Sequence, residues 1–161
     1  MRHGEANPVG GAIARDADRV LTERGREEVR LMAEVLARLE PDLERIVTSP
    51  LARAVESGRI VAGAFPMPPP LEQSETLAPG FRRTALLKHL EAYGNDTHIL
   101  LVGHQPDLGE LIGWLIAEIP QAGIALGTAS LAVLTLRRVA LDGEPTLRAL
   151  LTPALLQALD T

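Results

Sequence analysis

Two histidines and two arginines in this sequence have types and neighbours suited to handling a phosphoryl group. His3 stands between Arg2 and Gly4, Arg53 follows Ser49-Pro50 by one helical turn, and His104 follows Gly103. A neutral imidazole can attack phosphorus or act as a general base. A guanidinium can grip phosphoryl oxygens as a planar fork, and glycine lets backbone approach an anion closely. Each piece has a plainer reading when taken alone. An Arg-His-Gly triplet can be a charged terminus, a Ser-Pro-x-x-Arg stretch usually carries a surface arginine, and a Gly-His pair can hold a hydrogen-bonded loop histidine.

The chemistry requires elements that bring these residues together. His98 to Val102 reads as an apolar strand ended by Gly103-His104, and a helix runs from about Pro106 to Glu118. In an open α/β sheet, ligands bind at the carboxyl ends of strands, and the following helix N-terminus favours anions. Arg45-Ile46-Val47-Thr48 reads as a short buried strand. Ser49 is then an expected N-cap with Pro50 at N1, opening a helix to about Ala64. Residues 6–21 read as a surface loop. Thr22 is the expected N-cap of a helix reaching about Glu40, with Val29, Met32, Leu36 and Leu39 on one face. A further helix spans 81–93, with Leu86, Leu87 and Leu90 inward. Pro66-Met67-Pro68-Pro69-Pro70 is an extended loop. Residues 129–139 and 145–151 read as two strands joined at Asp142-Gly143, and 153–159 as a weak helix. Helices alternating with short buried strands predict an α/β fold of three layers: a mostly parallel sheet, with a terminal hairpin, covered on both faces.

Composition narrows the function. The 161 residues fit a single domain, and 46% are apolar, enough for a sizeable core. Aromatics are 2% of the chain, which argues against base-stacking nucleic-acid recognition. The net charge of −5 gives no general attraction to nucleic acid or anionic membrane. An anion site must therefore be a local arginine cluster working against the overall sign. Without cysteine, a thiol nucleophile and thiolate zinc sites are excluded. No apolar run is long enough to span a bilayer and no signal-peptide core is visible, so a cytoplasmic protein is expected.

The ordered set Arg2-His3-Gly4-Glu5, Leu21-Thr22-Glu23-Arg24-Gly25, Thr48-Ser49-Pro50-Leu51-Ala52-Arg53-Ala54, Leu77-Ala78-Pro79-Gly80 and Leu101-Val102-Gly103-His104-Gln105-Pro106-Asp107-Leu108 resembles the histidine phosphatase superfamily. Within it the chain is most similar to the short SixA-type phosphohistidine phosphatases. The resemblance covers essentially the whole chain. It implies a phosphoglycerate mutase-like fold and a metal-independent phosphatase with no cofactor. His3 would be the nucleophile, Arg2 and Arg53 would hold phosphoryl oxygens, and His104 would donate a further hydrogen bond to them. Glu75 is the candidate general acid, with Glu72 behind it, and Arg19 is a candidate substrate contact at the pocket mouth. His89 and His98 are expected to be structural or surface residues.

The resemblance also places Arg-His-Gly at the carboxyl end of a first strand inside the sheet, of which only Met1 remains. This raises the expectation that the first strand is truncated and that the natural start lies upstream. The substrate class implied is a phosphohistidine-bearing protein. A small phosphate ester on the same chemistry, and a non-catalytic module that binds phosphate or a partner, are the alternatives. Metal binding by His3 and His104 is a weaker one.

Overall fold

The computed structural model describes residues 1–11, 13–94, 97–121, 123–136 and 145–159. In chain order these form α1 (Glu23–Leu39), β1 (Arg45–Thr48), α2 (Ala52–Ala62), β2 (Leu71–Gln73), α3 (Arg83–Glu91), β3 (Ile99–Val102), α4 (Asp107–Ala117), β4 (Leu131–Thr135), β5 (Thr146–Leu151) and α5 (Pro153–Leu159), with 3-10 turns at Asp16–Asp18 and Glu75–Leu77. The strands β2, β1 and β3 pair in that order, all parallel, while β4 and β5 form an antiparallel pair. The expected turn at Asp142-Gly143 lies outside the described residues.

Residues 1–3 lie between the two strand groups. Gly103 N–H donates to Met1 O and His3 N–H to Gly103 O, both at 3.1 Å, on the β3 side. On the other side Arg2 N–H donates to Ser130 O at 3.0 Å and Ala129 N–H to His3 O at 3.1 Å. Only the Arg2–Gly103 bridge carries the parallel ladder pattern here. The Arg-His-Gly segment thus sits inside the sheet, as the resemblance implied, and a single bridge stands where the resemblance places a longer first strand.

Alternation along the strands creates the layers. Ile46, Leu100, Val102, Leu131 and Val133 join one core with α1, α2 and α5. Their neighbours Val47, Ile99, Leu101, Ala132 and Leu134 join the other, with α3 and α4. The result is an α/β sandwich with helices on both sheet faces. Val29, Met32 and Leu36 are buried on α1, but Leu39, the last helical residue, is 47% exposed, contrary to the inward position expected of it. The strand β2 was not visible in the sequence. It is only three residues long, directly after the proline run, and forms because its backbone pairs along β1 from Ile46 to Thr48.

Candidate active site

The carboxyl ends of β1 and β3, the first turn of α2 and the segment 1–4 converge, and they carry the four residues singled out by type. His3 is 8% exposed, Arg53 5% and His104 4%. The two imidazoles face each other with ring centroids 5.0 Å apart, inclined at 59°. His3 Nδ1–H donates to Gly4 O at 2.7 Å. This leaves the lone pair on Nε2, which accepts from Arg53 Nε at 3.2 Å. Burial is the main cause lowering the His3 pKa from 6.5 to about 4. The Gly4 hydrogen bond opposes it, and the positive charges of Arg53, Arg2 and Arg19 add to it. The ring is neutral at pH 7.

His104 Nε2 pairs with Ser49 Oγ at 2.8 Å. Burial, followed by the charges of His3 and Arg53, lowers its pKa to about 3. This contact explains a departure from the sequence reading. Ser49 does not cap a helix with Pro50 at N1: α2 begins at Ala52, with Leu51 at the cap position and no side-chain cap bond. The Ser49 hydroxyl pairs with His104, and among the described residues its one bond toward the helix is a 3.3 Å contact from Leu51 N–H.

Arg2 donates through Nη1 to Leu126 O at 2.8 Å. Its Nε is buried without a hydrogen-bond partner among the described residues. A buried guanidinium nitrogen without an acceptor is costly unless an anion supplies one. Arg53 is bound on both sides, with Nε on His3 and Nη1 and Nη2 donating to Asp16 O at 2.8 Å and Asp16 Oδ2 at 3.0 Å. Arg19 Nη1 donates to Asp16 Oδ1 at 2.9 Å, while its other donors reach the carbonyls of Asn7 and Ala6. The structure therefore links Arg19 to the site through Asp16, a residue the sequence reading missed. The only signal would have been an acidic residue in an aperiodic loop, which is ordinary.

Glu75 begins the 3-10 turn just past β2, beside the carboxyl end of β1, and its side chain is exposed. No described hydrogen bond joins it to either histidine. Glu72 is turned away from the pair: it accepts from Tyr93 Oη at 2.7 Å and lies 3.1 Å from His89 Nε2. His98 Nδ1 is 3.2 Å from Glu40 Oε2, which is the structural role expected of it. Among the described residues, no three or more His, Asp or Glu gather as ligands for a common metal ion.

Close backbone contacts hold the segment that carries His3. Gly4 N–H donates to Ser57 Oγ at 3.1 Å, and that hydroxyl donates to Arg53 O at 2.7 Å. A Cβ on Gly4 would lie 2.8 Å from Gly25 O, and one on Gly25 would lie 2.2 Å from Glu5 O. Only glycine permits α1 and this segment to lie so close. Glu5 completes the clamp, its carboxylate accepting from Thr22 Oγ1 at 2.7 Å and its carbonyl from Thr22 N–H at 2.9 Å.

Residues 1–79 match the histidine phosphatase superfamily (branch 1). The phosphohistidine phosphatase SixA of Escherichia coli (strain K12) is 32% identical over 121 residues, covering 74% of this chain and 71% of that protein. This chain belongs to the histidine phosphatase superfamily. An uncharacterised protein of Picosynechococcus sp. (strain ATCC 27264 / PCC 7002 / PR-6) is 41% identical over 112 residues, covering 68% of this chain and 67% of its own length. A solved structure of the protein histidine phosphatase SixA complexed with tungstate matches with a TM-score of 0.82 at 30% identity, covering 97% of this chain and 96% of that one. The whole α/β arrangement is therefore that of the histidine phosphatases, and membership supports phosphatase activity for this chain.

Proposed function

We propose that this histidine phosphatase hydrolyses phosphohistidine on a protein substrate, through a phosphohistidine intermediate on His3. The observation that carries the reading is the state of His3: a buried, neutral ring with Nδ1 fixed on Gly4 O and the lone pair of Nε2 directed at Arg53 Nε. In the first step, a bond forms from His3 Nε2 to phosphorus while the phosphorus–nitrogen bond of the substrate histidine breaks. The departing ring nitrogen takes a proton. Glu75, exposed at the carboxyl edge, is the candidate donor. In the second step water attacks phosphorus, the bond to His3 breaks, and inorganic phosphate leaves.

Fixed donors would carry the transition-state charge. Arg2 contributes its unpartnered Nε, and Arg53 its guanidinium. His104 fits the same task if Ser49 Oγ–H donates to Nε2, leaving Nδ1–H for a phosphoryl oxygen. The protein substrate is favoured by the resemblance to SixA over most of both chains. A small phosphate ester is the second reading, using the same residues.

The test is incubation with a phosphohistidine peptide, fast quenching, and mass spectrometry for an acid-labile phosphoryl adduct. The adduct is expected on His3 and absent in His3→Ala. Parallel rates on a phosphoserine peptide and p-nitrophenyl phosphate rank the substrates. Efficient ester turnover without phosphohistidine turnover would favour the small-ester reading. A folded chain that binds phosphate without turning over any of the three would be the non-catalytic module.

A further inference from the structure

The contacts of Arg53 hold a feature that the phosphatase reading does not use. Asp16 lies on a three-residue 3-10 turn with no buried residue, and its side chain is 56% exposed. That turn nevertheless meets the deepest guanidinium of the site. One carboxylate oxygen takes Arg53 Nη2 at 3.0 Å, the other takes Arg19 Nη1 at 2.9 Å, and the backbone carbonyl takes Arg53 Nη1 at 2.8 Å. A carboxylate bridging two guanidinium groups has the charge and spacing of two phosphoryl oxygens. Arg53 Nε rests on the nucleophilic nitrogen of His3. A phosphoryl group held for attack on that nitrogen would lie against the same guanidinium, whose Nη1 and Nη2 each already give one N–H to Asp16.

We propose that Asp16 is a tethered counter-anion of the phosphate site: its carboxylate competes with a substrate's phosphoryl group for Arg53 and Arg19, and binding displaces it together with the turn 16–18. The proposal rests on the phosphatase reading and adds to it a second arginine seat, Arg19 beside Arg53, that opens when Asp16 leaves. The surroundings make this displacement feasible. Asp18 pairs with Arg15, within the same loop, at 2.7 Å, and the side chains of that pair are exposed. The described ties of residues 14–18 to the rest of the protein are the Asp16 contacts with Arg53 and Arg19 and the Arg19 N–H bond to Asp16 O. The guanidinium neighbours hold the carboxyl of Asp16 below its usual pKa, Arg19 most strongly, so it is a full negative charge at neutral pH.

The test uses Asp16→Asn, which keeps the size and the backbone carbonyl but removes the charge, with Asp18→Asn as a control on the same turn. Inorganic phosphate is the probe, and its Kd is measured by calorimetry at pH 7. Removing the competitor is expected to tighten phosphate binding about tenfold in Asp16→Asn, the scale of one charge-assisted hydrogen bond, and to leave Asp18→Asn at the wild-type value. Hydrogen exchange gives a second, independent readout. Saturating phosphate should speed exchange at residues 16–18 of the wild type while slowing it at Gly4 and Gly103. A weakened Kd in Asp16→Asn would make Asp16 a positioning residue that holds the arginines, and would overturn the counter-anion. An unchanged Kd, or protection of 16–18 on phosphate binding, would overturn it too. If neither wild type nor variant binds phosphate and the wild type turns over no phosphoryl substrate, the phosphatase reading and the counter-anion both fall; with turnover intact and no phosphate bound, only the counter-anion does. If the wild type turns over phosphohistidine and the Kd is unmoved, only the counter-anion does.

Discussion

Lowering the pH from 7 to 5.5 separates a buried, neutral His3 from an ordinary histidine. With a pKa of 6.5, only about a tenth of the rings would stay neutral at pH 5.5, and a mechanism needing neutral His3 would lose about tenfold. With the pKa at about 4, nearly all of them stay neutral. The His3 contribution to the acid limb of kcat/KM should therefore fall near pH 4. The sign for stability follows from the same values. Between about 4 and 6.5 the unfolded chain binds a proton that folded His3 refuses, so stability rises with pH across that window. It is fully present above pH 6.5 and lost as the pH falls toward 4. A displacement from 6.5 to about 4 corresponds to about 3 kcal/mol. His104, displaced in the same direction, adds a contribution of that order that is not independent, because His3 is one of its causes. The assay is NMR titration of the ring resonances, with His3→Ala to assign them, beside denaturant melts at pH 7 and 5. A His3 titration midpoint near 6.5, together with equal stability at the two pH values, would refute the burial argument.

Three substitutions test the scaffold behind the site. Gly25→Ala places a Cβ 2.2 Å from a backbone carbonyl that cannot yield as a side chain would, so a loss of at least about 2 kcal/mol is expected in denaturant melts. Ser57→Ala strips the acceptor from the buried Gly4 N–H and should cost about 1–3 kcal/mol, with a lower kcat because the segment bearing His3 loosens. Unchanged melts and turnover in this variant would remove Ser57 from the support of the site. Thr22→Ala loses the side-chain cap to Gly25 N–H at 2.9 Å and the bond to Glu5, for about 1 kcal/mol read as a lowered Tm.

How much of this was legible in the sequence depended on how local each signal was. Arg2, His3, Arg53 and His104 each sit within a short motif at a strand end, and the structure brings all four together. Thr22 caps α1 as its residue type and position suggested. Ser49 misled because a Ser-Pro pair before a helix is locally indistinguishable from a cap. Its partner, His104, lies 55 residues away. Asp16 was invisible for the same reason, since its acceptor role is defined by an arginine 37 residues further on. The segment β2 carries too few residues to show alternation, and parallel pairing with β1 decides its state. Contacts that close over long separations leave no mark on periodicity or capping, and polar site residues live on them.

The electrostatics of the site tie binding to nucleophilicity. The protein as a whole is acidic, yet Arg2, Arg53 and Arg19 all act on His3, and each lowers its affinity for a proton. The same three cations therefore serve two ends. They attract an anion into a chain that otherwise repels one, and they keep the imidazole beside it unprotonated with its lone pair available. Burial is the larger cause of the second end, with the arginine charges adding to it, and it contributes nothing to the first. A buried neutral histidine without the arginines would not hold a phosphoryl group, and arginines beside an exposed histidine would leave its pKa near the ordinary value. Asp16 bears on the balance from the opposite side, since its negative charge raises the pKa of His104 while it occupies Arg53. Replacing that carboxylate by a phosphoryl group keeps negative charge at the arginine pair, so the site can exchange one anion for the other without leaving its cations unpaired.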